Sequence, residues 1–86
     1  MKVKYRRLGK QQALGLSYED GLIEIDSRLK GKKHLEILIH EAVHYLIPEM
    51  TEEGVIRLSV GLTHLLWSEG YRRCEMDDSK PMQDGS

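Results

Sequence analysis

The chain begins with short stretches in which polar and less polar residues alternate. Residues 2–8 and 13–18 show this period of two, and residues 22–26 form the clearest strand pattern of the sequence. Turn-forming residues separate the stretches at 9–12 and again at 19–21. The pattern predicts a small antiparallel sheet of two or three strands, in which residues 22–25 pack beside the helix that follows.

Beyond the predicted strands, apolar residues recur every three or four positions, which is typical of amphipathic helices. A first helix is expected to start near Gly31 and to continue to Ile47, because Pro48 stops it. Thr51 is a good N-cap for a second helix, which ends near Gly70 and packs on the first helix through a broad apolar face. The order of these elements predicts an α+β fold, a small sheet followed by two packed helices.

Length and composition indicate one small domain. The chain has 86 residues, of which 40% are hydrophobic and 31% are charged, as is ordinary for a soluble globular protein. No stretch approaches the roughly 20 apolar residues that a membrane span needs. We expect a single domain over residues 1–73. Residues 74–86 are polar and lack periodicity, so they are expected to form a disordered tail.

The charges of the chain are unevenly distributed although they nearly cancel. Residues 1–33 carry nine Lys/Arg and four Asp/Glu, whereas residues 34–86 carry four and ten. Residues 1–33 are therefore basic, but they contain neither interleaved aromatic residues nor a DNA-reading motif. Their charge alone does not predict nucleic-acid binding. No apolar segment of a secretory signal follows the basic N-terminus, and the single cysteine, Cys74, cannot form an internal disulfide, so we expect a cytoplasmic protein. The oligomeric state stays open.

One segment of the chain indicates a chemistry. Residues 40–44 read His-Glu-Ala-Val-His, the H-E-x-x-H pattern, inside a helix with apolar flanks. Residues four apart lie on the same face of an α-helix, so His40 and His44 can converge on one metal ion. Glu41 lies next to His40 and can reach a water molecule on that ion. The pattern predicts a zinc hydrolase site.

A catalytic zinc site has three protein ligands, so the motif needs a third one. Met50 occupies the position where the last histidine of the longer H-E-x-x-H-x-x-G-x-x-H pattern would fall, and a carboxylate is therefore preferred. Glu52 and Glu53 open the second helix, which must fold back along the first because the connection is short. On a helical wheel of the second helix, Glu52 lies nearer the middle of the apolar face than Glu53, so Glu52 is the preferred third ligand and Glu53 is the alternative. Glu49, in the turn before the helix, is a weaker candidate than either.

With zinc on His40, His44 and one glutamate, a bound water molecule would have a pKa of about 7. Glu41 would then take its proton during attack on a peptide carbonyl and pass that proton to the leaving amine. Substrate peptides often lie along an exposed strand edge, and residues 22–25 are the candidate for that edge. A zinc-dependent metallopeptidase that acts on a peptide or protein is therefore expected.

At this point the chain resembles the zincin metallopeptidases that use a glutamate as third ligand, in particular very small proteins of phage and prophage origin. It also looks like a minimal form of the ImmA/IrrE and SprT-like groups. The resemblance covers residues 22–72 and rests on four segments: Ile23 to Asp26, Leu38 to His44, Glu52 to Leu58, and Leu66-Trp67 with Gly70-Tyr71-Arg72. It implies a strand, a motif helix, a following ligand-bearing helix, a bound zinc ion, and a location in the cytoplasm of a host.

Two other interpretations remain. The chain lacks the additional segments that shape the substrate clefts of larger relatives, which favours a zinc-bound but non-catalytic module, either a phage regulator or a protein-binding domain. The third interpretation is a metal-free helical protein that acts through interactions alone.

Overall fold

The computed structural model describes residues 1–9 and 13–74, and within them the chain forms three strands and two helices. They are β1 (Lys2–Arg6), β2 (Gly15–Ser17), β3 (Leu22–Asp26), α1 (Gly31–Leu46) and α2 (Glu52–Ser68). The predicted α+β fold and the order of its elements are confirmed. The predicted disordered tail lies outside the described residues, apart from Cys74.

The sheet is mixed, and in this respect the expectation of an antiparallel sheet was wrong for one strand. The strand order is β1-β3-β2, with β2 antiparallel to β3 but β1 parallel to it. Because β1 lies on the far side of β3 from β2, the chain between β1 and β2 has to cross the carboxyl end of β3. A period of two shows which side chains of a strand lie on the same face of the sheet. It carries no information on the direction of the strand or on its neighbours.

A buried carboxylate anchors this crossing. Asp26, the last residue of β3, accepts hydrogen bonds from the backbone N–H of Leu8 at 3.1 Å and of Arg28 at 2.9 Å. The Arg28 guanidinium also donates to both carboxylate oxygens, at 2.9 and 2.7 Å. These donors hold the pKa of Asp26 far below its usual range. The stabilisation is therefore present at neutral pH and is lost only as the pH falls through that depressed value.

Both helices begin and end within two residues of the positions predicted from the caps. Thr51 caps α2, and its hydroxyl accepts a hydrogen bond from the Gly54 N–H at 3.1 Å. α1 ends at Leu46, directly before the Ile47-Pro48 step. Neither helix in the described part of the chain combines the length and the apolar content needed to cross a bilayer.

The sheet, α1 and α2 form three successive layers. α1 packs on β2 and on β3, and the β3 side chains Ile23 and Ile25 are buried. α2 packs mainly on α1. α2 meets α1 through a narrow stripe of small or medium residues: Val55, Ser59 and Thr63. The apolar face predicted for this helix is broader than the stripe that α1 covers, so some of its members stay exposed: Ile56, Leu58, Val60, Leu62 and Leu65.

One buried polar atom in the helix interface lacks a partner, and it leads to a stability prediction. The side chain of Thr63 is 1% exposed, and its hydroxyl has no hydrogen-bond partner among the described residues. A buried hydroxyl without a partner costs free energy, so Thr63→Val should raise the free energy of unfolding by about 1 kcal/mol. Chemical denaturation monitored by circular dichroism measures the change.

Ser59 supplies the control for this experiment. Its hydroxyl is equally buried but donates to the Ile56 carbonyl at 3.1 Å. Ser59→Ala should therefore not stabilise the protein. If both substitutions changed the stability alike, an unpartnered hydroxyl at Thr63 would not be the cause.

Candidate metal centre

The two motif histidines lie one turn apart on α1 and converge. Their Nε2 atoms are 3.2 Å from each other, and their ring centroids are 4.8 Å apart in an edge-on arrangement. This follows from the helical repeat, which places residues four apart one above the other. Both rings are partly exposed, so a small ligand can reach them from solvent.

The third member of the cluster comes from the first turn of α2. The short connection after α1 turns the chain back, and the two carboxylate oxygens of Glu52 lie 3.3 Å from His40 Nε2 and 3.0 Å from His44 Nε2. Within the described ranges, His40, His44 and Glu52 are the one group of histidine, cysteine and acidic side chains able to share a metal ion. Neither Glu53 nor Glu49 belongs to it. The geometry thus selects one of the alternatives that the sequence left open.

The spacing of these atoms fits a metal ion. Two ligand atoms at about 2.0–2.2 Å from a tetrahedral zinc lie ~3.3 Å apart. Here the two Nε2 atoms are 3.2 Å apart, His40 Nε2 is 3.3 Å from Glu52 Oε2, and His44 Nε2 is 3.0 Å from Glu52 Oε1. All three distances are close to that value. Three electron-pair donors directed at one point repel each other unless protons or a cation lie between them. Two imidazoles and one carboxylate can hold such a cation.

Glu41 lies on the protein side of this cluster, facing the sheet. Its side chain is 9% exposed. Burial raises the pKa of Glu41, while the nearby His40, His44 and Ser17 side chains act in the opposite direction. The carboxylate is therefore held next to the metal ligands in a position where water is largely excluded.

Two residues of β2 complete the surroundings of Glu41, and the sequence analysis did not single them out. A Cβ atom built on Gly15 would lie 2.8 Å from Glu41 Cγ and 2.8 Å from Ile37 Cγ2. Only a glycine allows β2 to approach α1 this closely. The Ser17 side chain lies near the Glu41 carboxylate and favours its charged form, which lowers the pKa of Glu41. A glycine inside a strand pattern was the one signal in the sequence that could have indicated the close approach.

Gly15→Ala should disturb this site and the fold together. The new methyl group has no room, so the substitution should lower the free energy of unfolding by about 1–3 kcal/mol and displace the Glu41 side chain. Gly61→Ala is the matched control, because open space surrounds that position in the middle of α2. There, alanine should stabilise the helix by about 1 kcal/mol. Thermal unfolding of both variants measures the two opposite changes, and a stabilised Gly15→Ala protein would contradict the close approach.

The other two histidines lie outside the cluster. His64 is exposed on α2. His34 is buried near the start of α1, where its Nε2 atom lies 2.9 Å from the Tyr5 hydroxyl and 3.4 Å from an Arg73 nitrogen. Burial and the Arg73 charge lower the pKa of His34. His34 therefore belongs to a different region of the molecule, described below.

Comparisons of the chain with models of protein families, with curated proteins and with solved structures found no match. The resemblance to zincin peptidases therefore remains a prediction. What carries the functional assignment further is the arrangement of His40, Glu41, His44 and Glu52 in this fold.

Proposed function

We propose that this protein is a zinc-dependent metallopeptidase. One observation carries the proposal: two imidazoles and the Glu52 carboxylate lie close enough together that they could hold one metal ion, and the buried Glu41 carboxylate lies near both imidazoles. An interaction protein without a metal has no need to direct three electron-pair donors at one point. A structural metal site, in turn, would not require a desolvated carboxylate next to its ligands.

His40, His44 and Glu52 would hold the ion. When bound, zinc supplies Lewis acidity, which makes water a nucleophile at neutral pH and polarises a carbonyl group. Three protein ligands leave a fourth position open, as catalytic zinc sites require. The Glu52 side chain is 61% exposed, so the open side of the cluster faces solvent and is accessible to a substrate.

Glu41 would move the proton. Its carboxylate accepts a proton from the attacking water and returns it to the amine nitrogen of the scissile peptide bond, whose C–N bond then breaks. Burial favours this exchange, because a desolvated carboxylate binds a proton more readily than an exposed one. The close packing at Gly15 would restrict the movement of the Glu41 side chain and so reduce the entropy lost on reaching the transition state.

The substrate would lie along β2, and the earlier choice of residues 22–25 for this role was wrong. β3 is the central strand and pairs on both sides, so it has no free edge. Leu14 and Tyr18, which flank β2, form backbone hydrogen bonds with Asp26 and Leu22 of β3. By the antiparallel alternation, the backbone groups of Gly15 and Ser17 are directed away from β3. These two residues are also the neighbours of Glu41. A peptide that pairs with this edge would therefore pass the candidate metal centre.

The test is a metal-dependent cleavage experiment. Purified protein is loaded with zinc, its metal content is measured, and a peptide library is digested and analysed by mass spectrometry. We expect about one zinc per chain and new peptide termini, which disappear on chelation and return when zinc is added back.

Two results would overturn the proposal in different ways. Zinc binding without cleavage of any peptide or protein substrate would indicate the non-catalytic module. Failure to bind zinc would instead show that the three side chains meet through hydrogen bonds between protonated imidazoles and Glu52, which would leave an interaction protein.

A further inference from the structure

A second, separate cavity lies where the start of α1 meets the end of α2. Its volume is about 880 Å³, within the range of small-molecule sites. The side chains that give it its character come from three parts of the fold: Tyr5, Lys30, His34, Trp67, Arg72 and Arg73. No ligand of the candidate metal centre lines it, and His34 precedes His40 by about 9 Å of helix rise. The cavity is therefore independent of the proposed peptidase site.

Among the described residues, the cavity is lined by cationic side chains and by no acidic one. Within the same part of the chain, Lys30, Arg72 and Arg73 also form no ion pair, whereas Arg6 and Arg28 each pair with a carboxylate. Cations gathered without a carboxylate repel each other, and a bound anion would relieve that repulsion.

Aromatic rings hold the two arginines in place. The Arg72 guanidinium lies 3.6 Å above the Trp67 ring, and Arg73 lies 4.7 Å from the centroid of Tyr5. One nitrogen of Arg72 donates to the Trp67 and Tyr71 carbonyls at 2.8 and 3.1 Å. A guanidinium carries five N–H donors, so most of the donors of Arg72 remain free for a ligand. Contact with the rings restricts both side chains and lowers the entropy that binding would cost.

The amino end of α1 adds to the same field. Lys30 is the N-cap and makes no side-chain capping hydrogen bond, and the first turn contains no acidic residue. The positive end of the helix dipole is instead flanked by two further cations, Lys32 and Lys33, of which Lys33 pairs with Glu36 at 3.8 Å. A cation at this end of a helix is unfavourable unless an anion lies nearby. The first backbone N–H groups of α1 begin at Gly31, which lines the cavity.

From these convergent groups we infer that the cavity binds a phosphate group, carried by a small molecule such as a nucleoside monophosphate or present as the free ion. The guanidinium groups of Arg72 and Arg73 provide planar donor pairs that match phosphate oxygens. Lys30 and the first turn of α1 provide the remaining charge and backbone donors.

The experiment titrates the full chain with inorganic phosphate, AMP and adenosine at constant ionic strength. Trp67 is the only tryptophan, so its fluorescence reports on the cavity directly. Two-dimensional amide NMR locates the site. We expect saturable shifts for phosphate and AMP at residues 31–33 and at the Trp67 indole, and none for adenosine. Shifts confined to residues 40–52 would place the phosphate at the metal centre and overturn the inference.

Variants test the cations. The double substitution R72Q/R73Q should weaken phosphate and AMP binding by at least about tenfold. R7Q/R57Q removes the same charge from positions outside the cavity and should leave the affinity unchanged. Because loss of Arg72 also removes its stacking on Trp67, Lys30→Gln is a milder second variant, and it should weaken binding as well. Equal losses in the cavity and control variants would indicate a non-specific charge effect and contradict the inference.

The acidic residues that follow Cys74 in the sequence make one further variant necessary. Glu75, Asp77 and Asp78 follow Cys74 in the sequence and can compete with phosphate for the same cations. The full chain with E75Q, D77N and D78N should bind phosphate at least as tightly as the original. Absence of saturable binding in both chains would rule out the phosphate site.

Discussion

Replacing Glu41 by glutamine is expected to lower the turnover number for peptide hydrolysis by about 10²- to 10⁴-fold while zinc binding is retained. Glutamine has nearly the same shape but cannot accept the proton from the attacking water. The substitution should not weaken the fold. Burial raises the pKa of Glu41, so the charged carboxylate costs stability above that pKa, and the neutral amide removes this cost at neutral pH. Steady-state kinetics, zinc content and thermal unfolding measure the three effects.

Glu49→Gln is the matched control for this substitution. Glu49 lies close in sequence, is exposed and is outside the metal-binding group in the described residues. Its replacement should change neither turnover nor zinc content. A Glu41→Gln protein that bound zinc and kept its full turnover would exclude Glu41 as the general base, even if hydrolysis itself were real.

The second large effect is expected from the third metal ligand. Glu52→Gln should lower the affinity for zinc by more than about 100-fold, because loss of outer-shell partners alone costs 10–100-fold and Glu52, which contacts both histidines, is the proposed direct ligand. Zinc at about 1,000 times its dissociation constant should stabilise the original chain by ~4 kcal/mol, and at the same zinc concentration a variant with 100-fold weaker affinity should keep only about 1.4 kcal/mol of this gain. Isothermal titration calorimetry and zinc-dependent thermal unfolding provide the measurements.

Glu53→Gln separates ligation from the helix dipole. Both glutamates lie in the first turn of α2, so each substitution loses a similar favourable interaction with the amino end of the helix. Only Glu52 meets the histidines. If the two variants lost zinc affinity to the same extent, the effect would come from the charge of the helix end and not from coordination.

The helices and the motif were predictable because short-range interactions determine them. The H-E-x-x-H spacing places His40 and His44 on one face of any α-helix, whatever surrounds it. The Thr51 cap and the Pro48 stop likewise act within a few residues, and the structure has helix ends close to both. The strand segments were also recognisable from their period of two.

The choice between Glu52 and Glu53 required the packed structure. Neighbouring residues on a helix point about 100° apart, so the rotation of α2 about its own axis decides which carboxylate faces α1. Packing sets that rotation through the small side chains Ser59 and Thr63. The apolar face of α2 in the sequence is wider than its buried stripe, so the sequence did not determine the rotation of the helix. A helical wheel could therefore only favour Glu52 over Glu53 weakly.

What the sequence determined by itself is the set of elements, their order, and a pair of imidazoles with an acidic neighbour, because each depends on residues within about two helical turns. Only the tertiary structure decided the parallel pairing of β1, the edge position of β2 among the described strands, the approach of Gly15 to Glu41, and the gathering of Tyr5, His34 and Arg73 around one cavity. These features join segments far apart in the chain. Local patterns do not encode such distant contacts, since those arise from how complete elements pack against each other.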